Sequence, residues 1–158
     1  MAKTNAVRLL DSLKIPYKLL HYEVDLEDLA AQNTAQKLNI EPEKLFKTLV
    51  VRSNNNLYFA VIPSNAQLNL KALANVAKEK KLEMIAVKEL KSLTGYIRGG
   101  VTAIASKKDY PVFVDETITL FNNIAVSAGV RGTLIMLASQ DYLKVTQGKI
   151  GAIRAIAF

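Results

Sequence analysis

The N-terminal third of the chain begins with apolar residues at helical spacing and then changes to strand-forming sequence. After Thr4, a suitable N-cap, apolar side chains recur at helical intervals until Pro16 ends the helix. Strand formers then occupy residues 17–22, and a second helical pattern covers about residues 27–38. Pro42 suits the first turn of a short further helix. This part of the pattern therefore predicts one strand among three helices.

The centre of the chain predicts a β-hairpin followed by two helices. Residues 46–52 form a β-branched apolar run, residues 53–56 tolerate the positive φ of a tight turn, and residues 57–62 supply the returning strand. Asn69 is placed to begin the next helix, and a second short helix covers residues 87–93. We expect the first hairpin strand to be buried on both faces, since polar residues do not alternate along it.

The final third is mostly β-sheet in its pattern. Strand-like segments cover residues 110–115, 124–126 and 133–137, and Ser139 then begins a helix. The apolar tail over 150–158 fits either a last strand or a packed extension. Because helices and strands are interspersed without a strict βαβ period, the pattern predicts an α+β fold on a mixed sheet.

Length and composition narrow the chemistry. The 158 residues contain no internal repeat or linker, so we expect one domain over 1–158. With no cysteine and a single histidine, His21, the chain has no disulfide, no thiolate zinc site and no cysteine nucleophile. The same count leaves little from which to build a Ser-His-Asp triad. We therefore expect catalysis, if present, to use neither a metal nor a cofactor.

Charge and hydropathy point to a cytoplasmic protein with an anionic partner. No apolar run reaches the roughly 18 residues of a membrane span, and residues 1–5 lack the apolar core of a signal peptide. We therefore expect a cytoplasmic location and no membrane partner. The formal net charge of +7, from 21 Lys and Arg against 14 Asp and Glu, favours a polyanion such as nucleic acid without requiring one.

Lys47 is the first candidate for chemistry, because it interrupts an otherwise apolar strand. A buried ammonium without a partner is costly, so this lysine needs a reason. The simpler interpretation is that Lys47 lies at the strand start and extends its ammonium into water. The alternative is that it points into a pocket and meets an anionic or carbonyl group of a ligand.

Three glycines near the middle of the chain are the second candidate. Gly95, Gly99 and Gly100 permit positive φ and close approach of backbone N–H groups to an anion, and Arg98 adds a positive charge. Their spacing fits neither common nucleotide-binding motif. A tight turn between a helix and a strand explains them equally well.

The segment 127–132 is the third candidate, since it places a serine and an arginine between glycines. A hairpin loop is its simpler interpretation, and Ser127 has no evident base that would make it a nucleophile. Asp141 is most simply an acid in the first turn of a helix, where it suits the helix dipole.

Several of these segments together resemble the YbaK-type aminoacyl-tRNA deacylases, which are free-standing relatives of the editing domain in bacterial prolyl-tRNA synthetases. The resemblance runs in order from about residue 3 to 145 and rests on segments 3–10, 46–50, 67–71, 94–100 and 127–132. It implies a compact domain with a barrel-like mixed sheet, surrounding helices and a pocket for the aminoacylated 3′ end of a mischarged tRNA. Such an ester is already activated, so an enzyme needs only to place a nucleophile and stabilise negative charge.

The resemblance also implies roles for residues. Lys47 takes the place of the family's pocket lysine and is the expected catalytic residue. In members that edit cysteine, the substrate's own thiol attacks the ester. The expected partner is a mischarged tRNA, most simply Cys-tRNA(Pro). Whether prolyl-tRNA synthetase is a second partner stays open. The residues expected to bind substrate are Tyr22, Thr48, Gly99, Gly100, Thr102, Ser127 and Asp141.

One segment departs from the family pattern. After the two glycines the family continues with a hydroxyl residue, proline, an apolar residue and glycine, whereas this chain has Thr102-Ala103-Ile104-Ala105. Losing a rigid and a permissive residue predicts a change of shape on this side of the pocket. Two alternatives therefore stay open: a deacylase for another small residue, such as Ala-tRNA(Pro), or a tRNA- or synthetase-binding module without activity.

Overall fold

The computed structural model describes residues 3–155 of the chain. Its α-helices are α1 (Asn5–Ser12), α2 (Ala31–Lys37), α3 (Leu70–Ala77), α4 (Val87–Thr94) and α5 (Ser139–Thr146), and a 3-10 helix covers Glu116–Leu120. Its strands are β1 (Tyr17–His21), β2 (Phe46–Arg52), β3 (Leu57–Pro63), β4 (Glu83–Met84), β5 (Val112–Asp115), β6 (Asn123–Ser127), β7 (Thr133–Ala138) and β8 (Lys149–Gly151). The predicted α+β class is confirmed.

Side-chain caps set the starts of α1 and α3. The Thr4 hydroxyl accepts a hydrogen bond from the N–H of Val7, and the Asn69 side chain accepts one from the N–H of Ala72. Both residues therefore cap their helices as predicted, since each satisfies a donor that the helix itself leaves free. The hairpin of β2 and β3 is also confirmed, with Phe46 opposite Pro63 and Arg52 opposite Leu57.

Two predicted helices differ from the structure. The helix expected over 27–38 begins only at Ala31, because Asp25 and Asp28 bind the backbone N–H groups of Glu27 and Ala30. Such local side-chain bonds compete with helix formation. The short helix expected after Pro42 is a turn, since the Ser64 hydroxyl binds the Pro42 carbonyl and the chain continues directly into β2.

The strands form two open sheets. One has the order β1-β7-β6 and is antiparallel, and the other has the order β4-β2-β3-β5-β8. The larger sheet is mixed, because β3, β5 and β8 are parallel while β2 is antiparallel to both of its neighbours. The barrel-like arrangement that we expected is therefore two sheets, which meet at a parallel bridge between Leu45 and Ala125.

The larger sheet is buried on both faces, as the apolar pattern of β2 predicts. Phe46 and Val50 face the main core, which also contains Tyr142 of α5. Val51 faces a second core under α3. In the tail, β8 covers Lys149–Gly151 and residues 152–155 continue beside Asp115, while the last three residues lie outside the described part.

Within residues 3–155, no helix combines the length and the apolar character needed to cross a bilayer.

Candidate active site

A cleft opens where β2 lacks a neighbouring strand along one edge. The Lys44 carbonyl, just before β2, accepts a hydrogen bond of 2.9 Å from Ala125 N–H of β6. The Val50 carbonyl accepts one of 3.3 Å from Ile85 N–H, beside β4. Each neighbour reaches only one end of β2, and a cleft of about 710 Å³ lies between them.

Thr48 presents its backbone to this cleft. In a strand, the N–H and C=O of every second residue point to the same edge. The carbonyls of Lys44 and Val50 both point to the edge where the cleft lies, so the N–H and C=O of Thr48 point there too. The sheet therefore directs the backbone N–H and C=O of Thr48 towards the cleft.

The side chain of Thr48 faces the main core instead. It lies opposite Val61, which is fully buried there, and its hydroxyl is close enough to Tyr142 to lower the pKa of that phenol. Burial outweighs this effect and raises the Tyr142 pKa far above its usual range. The phenol oxygen makes no hydrogen bond of full geometry within the described residues.

Lys47 lines the cleft with a half-buried side chain. Within residues 3–155 it makes no ion pair, and burial lowers the pKa of its ammonium group. Desolvation without a compensating anion has this effect because it disfavours the charged form. The cleft therefore holds a lysine that no acid in the described part of the chain pairs with.

Two glycine-containing loops form one wall of the cleft. Gly99 has a φ of +86°, and the side chain of Arg131 packs 3.5 Å from where a Cβ of Gly99 would lie. The Arg131 Nε donates a 2.7 Å hydrogen bond to the Arg98 carbonyl. At Gly100, a Cβ would lie 3.2 Å from the Cα of Val130. The glycines therefore let the two loops pack backbone against backbone.

The second loop also holds the segment after β1. The N–H of Tyr22 donates a 2.9 Å hydrogen bond to the Gly132 carbonyl, and Gly132 has a φ of +92°. The Ser127 hydroxyl accepts a 3.1 Å hydrogen bond from Gly129 N–H. The loop between β6 and β7 thus holds Tyr22 through Gly132 and Ser127 through Gly129, and both residues line the cleft.

The cleft brings together five of the eight residues that the sequence singled out. These are Tyr22, Lys47, Thr48, Gly99 and Ser127. Gly100 and Thr102 lie behind the wall, and the buried Thr102 hydroxyl accepts a hydrogen bond from Ile104 N–H. Asp141 lies in the first turn of α5, outside the lining of the cleft. The roles of all eight residues in catalysis and substrate binding stay predictions.

The segment that departs from the family pattern keeps a left-handed residue. Ala105, where the family has glycine, has a φ of +58°. A non-glycine residue in this region costs about 1–2 kcal/mol. Val101 lines the cleft, whereas residues 102–105 do not.

Sequence reasoning missed the cleft wall opposite α4. Asp25 and Asp28 line the cleft ahead of α2, and Asn65 and Gln67 line it after β3. Asp28 accepts hydrogen bonds from the Asn33 side chain at 2.8 and 2.9 Å. The spacing of Asp25 and Asp28 matches an ordinary helix start, so no signal in the sequence marks them as cleft residues.

Comparisons with known proteins agree with this geometry. The model of the aminoacyl-tRNA editing domain matches residues 27–145. The chain is 41% identical, over 96% of its length and 93% of the relative, to EbsC of Enterococcus faecalis, a candidate Cys-tRNA(Pro)/Cys-tRNA(Cys) deacylase by name. It is 29% identical to a proline–tRNA ligase of Thermoanaerobacter over 58% of this chain and 16% of the ligase.

Solved structures share the fold. The protein designated APE2540 superimposes with a TM-score of 0.85 at 20% identity. The match covers 96% of this chain and 100% of APE2540. A candidate trans-editing enzyme for prolyl-tRNA synthetase gives 0.81 at 18% identity, covering 99% of this chain and 100% of its own. With the match to the family model over most of its length, the chain belongs to the aminoacyl-tRNA editing domain family.

Proposed function

We propose that the chain hydrolyses the ester of mischarged aminoacyl-tRNA, with Cys-tRNA(Pro) as its principal substrate. The observation that carries the proposal is the half-buried Lys47 beside the open edge of β2, which forms no ion pair with any described residue, in a chain of the editing family. The name of the 41% identical relative supports cysteine as the amino acid.

The reaction needs little beyond charge stabilisation. As a nucleophile adds to the ester carbonyl, negative charge develops on the carbonyl oxygen, and preorganised donors lower the barrier most at that point. Lys47 supplies a cation, and the N–H of Thr48 supplies a donor that the sheet holds in place. The bond to the ribose oxygen then breaks, and that oxygen takes the proton that the nucleophile gave up and leaves as a hydroxyl.

The nucleophile depends on the amino acid. Water adds its oxygen to the carbonyl carbon of any aminoacyl ester and gives the free amino acid. For a cysteinyl ester the substrate's thiol can add instead, so that a C–S bond forms as the C–O bond to ribose breaks. Water then opens the resulting thiolactone. The chain therefore needs no nucleophile of its own.

Selectivity should be moderate. Tyr22, Gly99 and Ser127 wall the cleft beside Lys47, so they are placed to contact the amino acid or the terminal ribose. A pocket of this kind separates substrates by only about 1–3 kcal/mol per methylene. We expect slower hydrolysis of Ala-tRNA(Pro). We further propose that the chain acts as one domain over 1–158, in the cytoplasm, and intercepts tRNA released by prolyl-tRNA synthetase.

The test is a panel of charged tRNAs. Cys-tRNA(Pro), Cys-tRNA(Cys), Ala-tRNA(Pro) and Pro-tRNA(Pro) are incubated with the protein and with Lys47→Ala, and the loss of radiolabelled ester is followed. We expect the fastest loss with Cys-tRNA(Pro) and none above background with Lys47→Ala. Retained tRNA binding with no ester loss on any substrate would replace this proposal with a binding module.

A further inference from the structure

Four cationic side chains lie on or next to α4, the helix whose Val87 and Leu90 line the cleft. Lys88 and Lys91 lie on the helix, Arg98 lines the cleft after it, and Lys107 packs at the C-terminal end of the helix. All four residues are exposed, and none forms an ion pair within residues 3–155. We call these four residues the α4 basic strip.

The helical period places Lys91 on the cleft side of α4 and Lys88 beside it, further towards solvent. Val87 lines the cleft, and Lys91 lies one turn after it at i+4. Lys88 lies three residues before Lys91, so the two lysines are neighbours on the surface. The acid of this helix, Glu89, projects elsewhere and binds Arg52 at 2.9 Å. The positive charge beside the cleft is therefore not neutralised by the helix that carries it.

Lys107 and Arg98 add positive charge beyond the C-terminal end of α4. The aliphatic chain of Lys107 packs over Gly95, the C-cap of α4, and its Nζ lies 3.8 Å from where a Cβ of Gly95 would be. The hydrogen bond from Arg131 Nε to the Arg98 carbonyl fixes the backbone that presents Arg98. Contacts within the fold thus hold the part of the strip that follows α4.

We propose that the α4 basic strip binds phosphates of the acceptor end of the tRNA whose 3′ terminus occupies the cleft. The proposal rests on the proposed function. A nucleic acid strand that enters the cleft must cross its rim, and each phosphate that a lysine or arginine neutralises there releases counterions. Unpaired lysines beside a cleft are the electrostatic footprint expected for such a partner.

The test separates the strip from the net charge. Lys88→Gln/Lys91→Gln removes two charges at the cleft rim. Lys144→Gln/Lys149→Gln removes two exposed charges elsewhere, with Lys149 on β8. In the larger sheet β8 is four strands from β4, about 19 Å away at the usual strand spacing. Binding of uncharged tRNA, hydrolysis of aminoacyl-tRNA and hydrolysis of a 3′-aminoacyl-adenosine ester are measured for each protein.

Lys88→Gln/Lys91→Gln is the rim variant. We expect it to raise the Kd for uncharged tRNA about 10-fold at low salt. It should also reduce the slope of log K against log salt by about 1.8, because two charges are removed. Its KM for aminoacyl-tRNA should rise while its kcat and its rate on the adenosine ester stay unchanged. The control variant should change binding by less than about 3-fold.

Equal effects of the two variants on tRNA binding would overturn the proposal, because net charge alone would then explain them. So would a rim variant that binds tRNA as tightly as the unmodified protein. Failure of the proposed function looks different, since the unmodified protein would then hydrolyse neither ester. The tRNA-binding comparison tests the strip in that case as well.

Discussion

Lys47 and Asp115 are both charged side chains in strands of the larger sheet, yet they differ in the partners that the described residues give them. Asp115 is fully buried and accepts hydrogen bonds from the N–H groups of Thr117, Ile153 and Arg154. The hydroxyl of Thr117 also donates to it, and Arg154 Nε lies 3.4 Å away. Lys47 has no such partner in the described chain.

The difference separates a charge that the fold uses from one for which we propose a catalytic role. The carboxylate of Asp115 is satisfied by donors that belong to the 3-10 helix and to the C-terminal segment, so it fastens both to β5. Lys47 lies in the part of β2 that has no neighbouring strand along one edge, so its charge is available to a ligand. A strongly desolvated charge beside a cleft is a candidate for ligand binding.

The largest effect is expected from Asp115→Ala. The substitution leaves a set of buried donors without an acceptor and should lower the free energy of unfolding by about 3–5 kcal/mol. Chemical denaturation measures it, with Asp109→Ala, an exposed aspartate, as the control. A loss below about 1 kcal/mol would show that Asp115 is not the anchor described here.

Lys47→Met should lower activity without lowering stability. We expect kcat/KM for Cys-tRNA(Pro) to fall at least about 100-fold, since a preorganised electrostatic group is lost. Stability should stay unchanged or rise by up to about 1 kcal/mol, because the desolvated charge is removed. Deacylation and thermal unfolding are measured together, with Lys144→Met as the control. Unchanged turnover would remove Lys47 from the mechanism.

The lowered pKa of Lys47 gives activity and stability opposite dependences on pH. Deacylation above the spontaneous rate should fall as the ammonium loses its proton, at a pH below the usual lysine value of 10.5. Over the same window the unfolded chain binds more protons at this site, so stability should rise with pH. Subtracting the curves of Lys47→Met isolates both effects. A stability difference that is constant across this window would contradict the prediction.

Ala105→Gly should have the smallest effect. Relief of a left-handed alanine, offset by the greater freedom of glycine in the unfolded chain, should stabilise the protein by about 0.5–1 kcal/mol. Deacylation should not change, since Ala105 lies outside the cleft lining. Denaturation and the Cys-tRNA(Pro) assay check both, and a change in amino-acid preference would reopen the question of pocket shape.

The parts of the fold that local signals control were predictable. Thr4 and Asn69 cap their helices, and the apolar run of β2 forms a hairpin strand that is buried on both faces. The start of α2 could not be predicted. Asp25 and Asp28 accept hydrogen bonds from nearby backbone N–H groups, and their spacing in the sequence is also that of an ordinary helix start. The position of Asp141 outside the cleft was also beyond the sequence, since helix periodicity does not say what a helix packs against.

By itself, the sequence determined the class of the fold, the lysine that needs a partner, and the glycines that let two loops pack closely. These features depend on residue type and on neighbours along the chain. Only the tertiary structure decided that Lys47 and the backbone of Thr48 share one cleft. That arrangement arises because β4 and β6 each reach one end of β2, and such pairing depends on residues far apart in sequence.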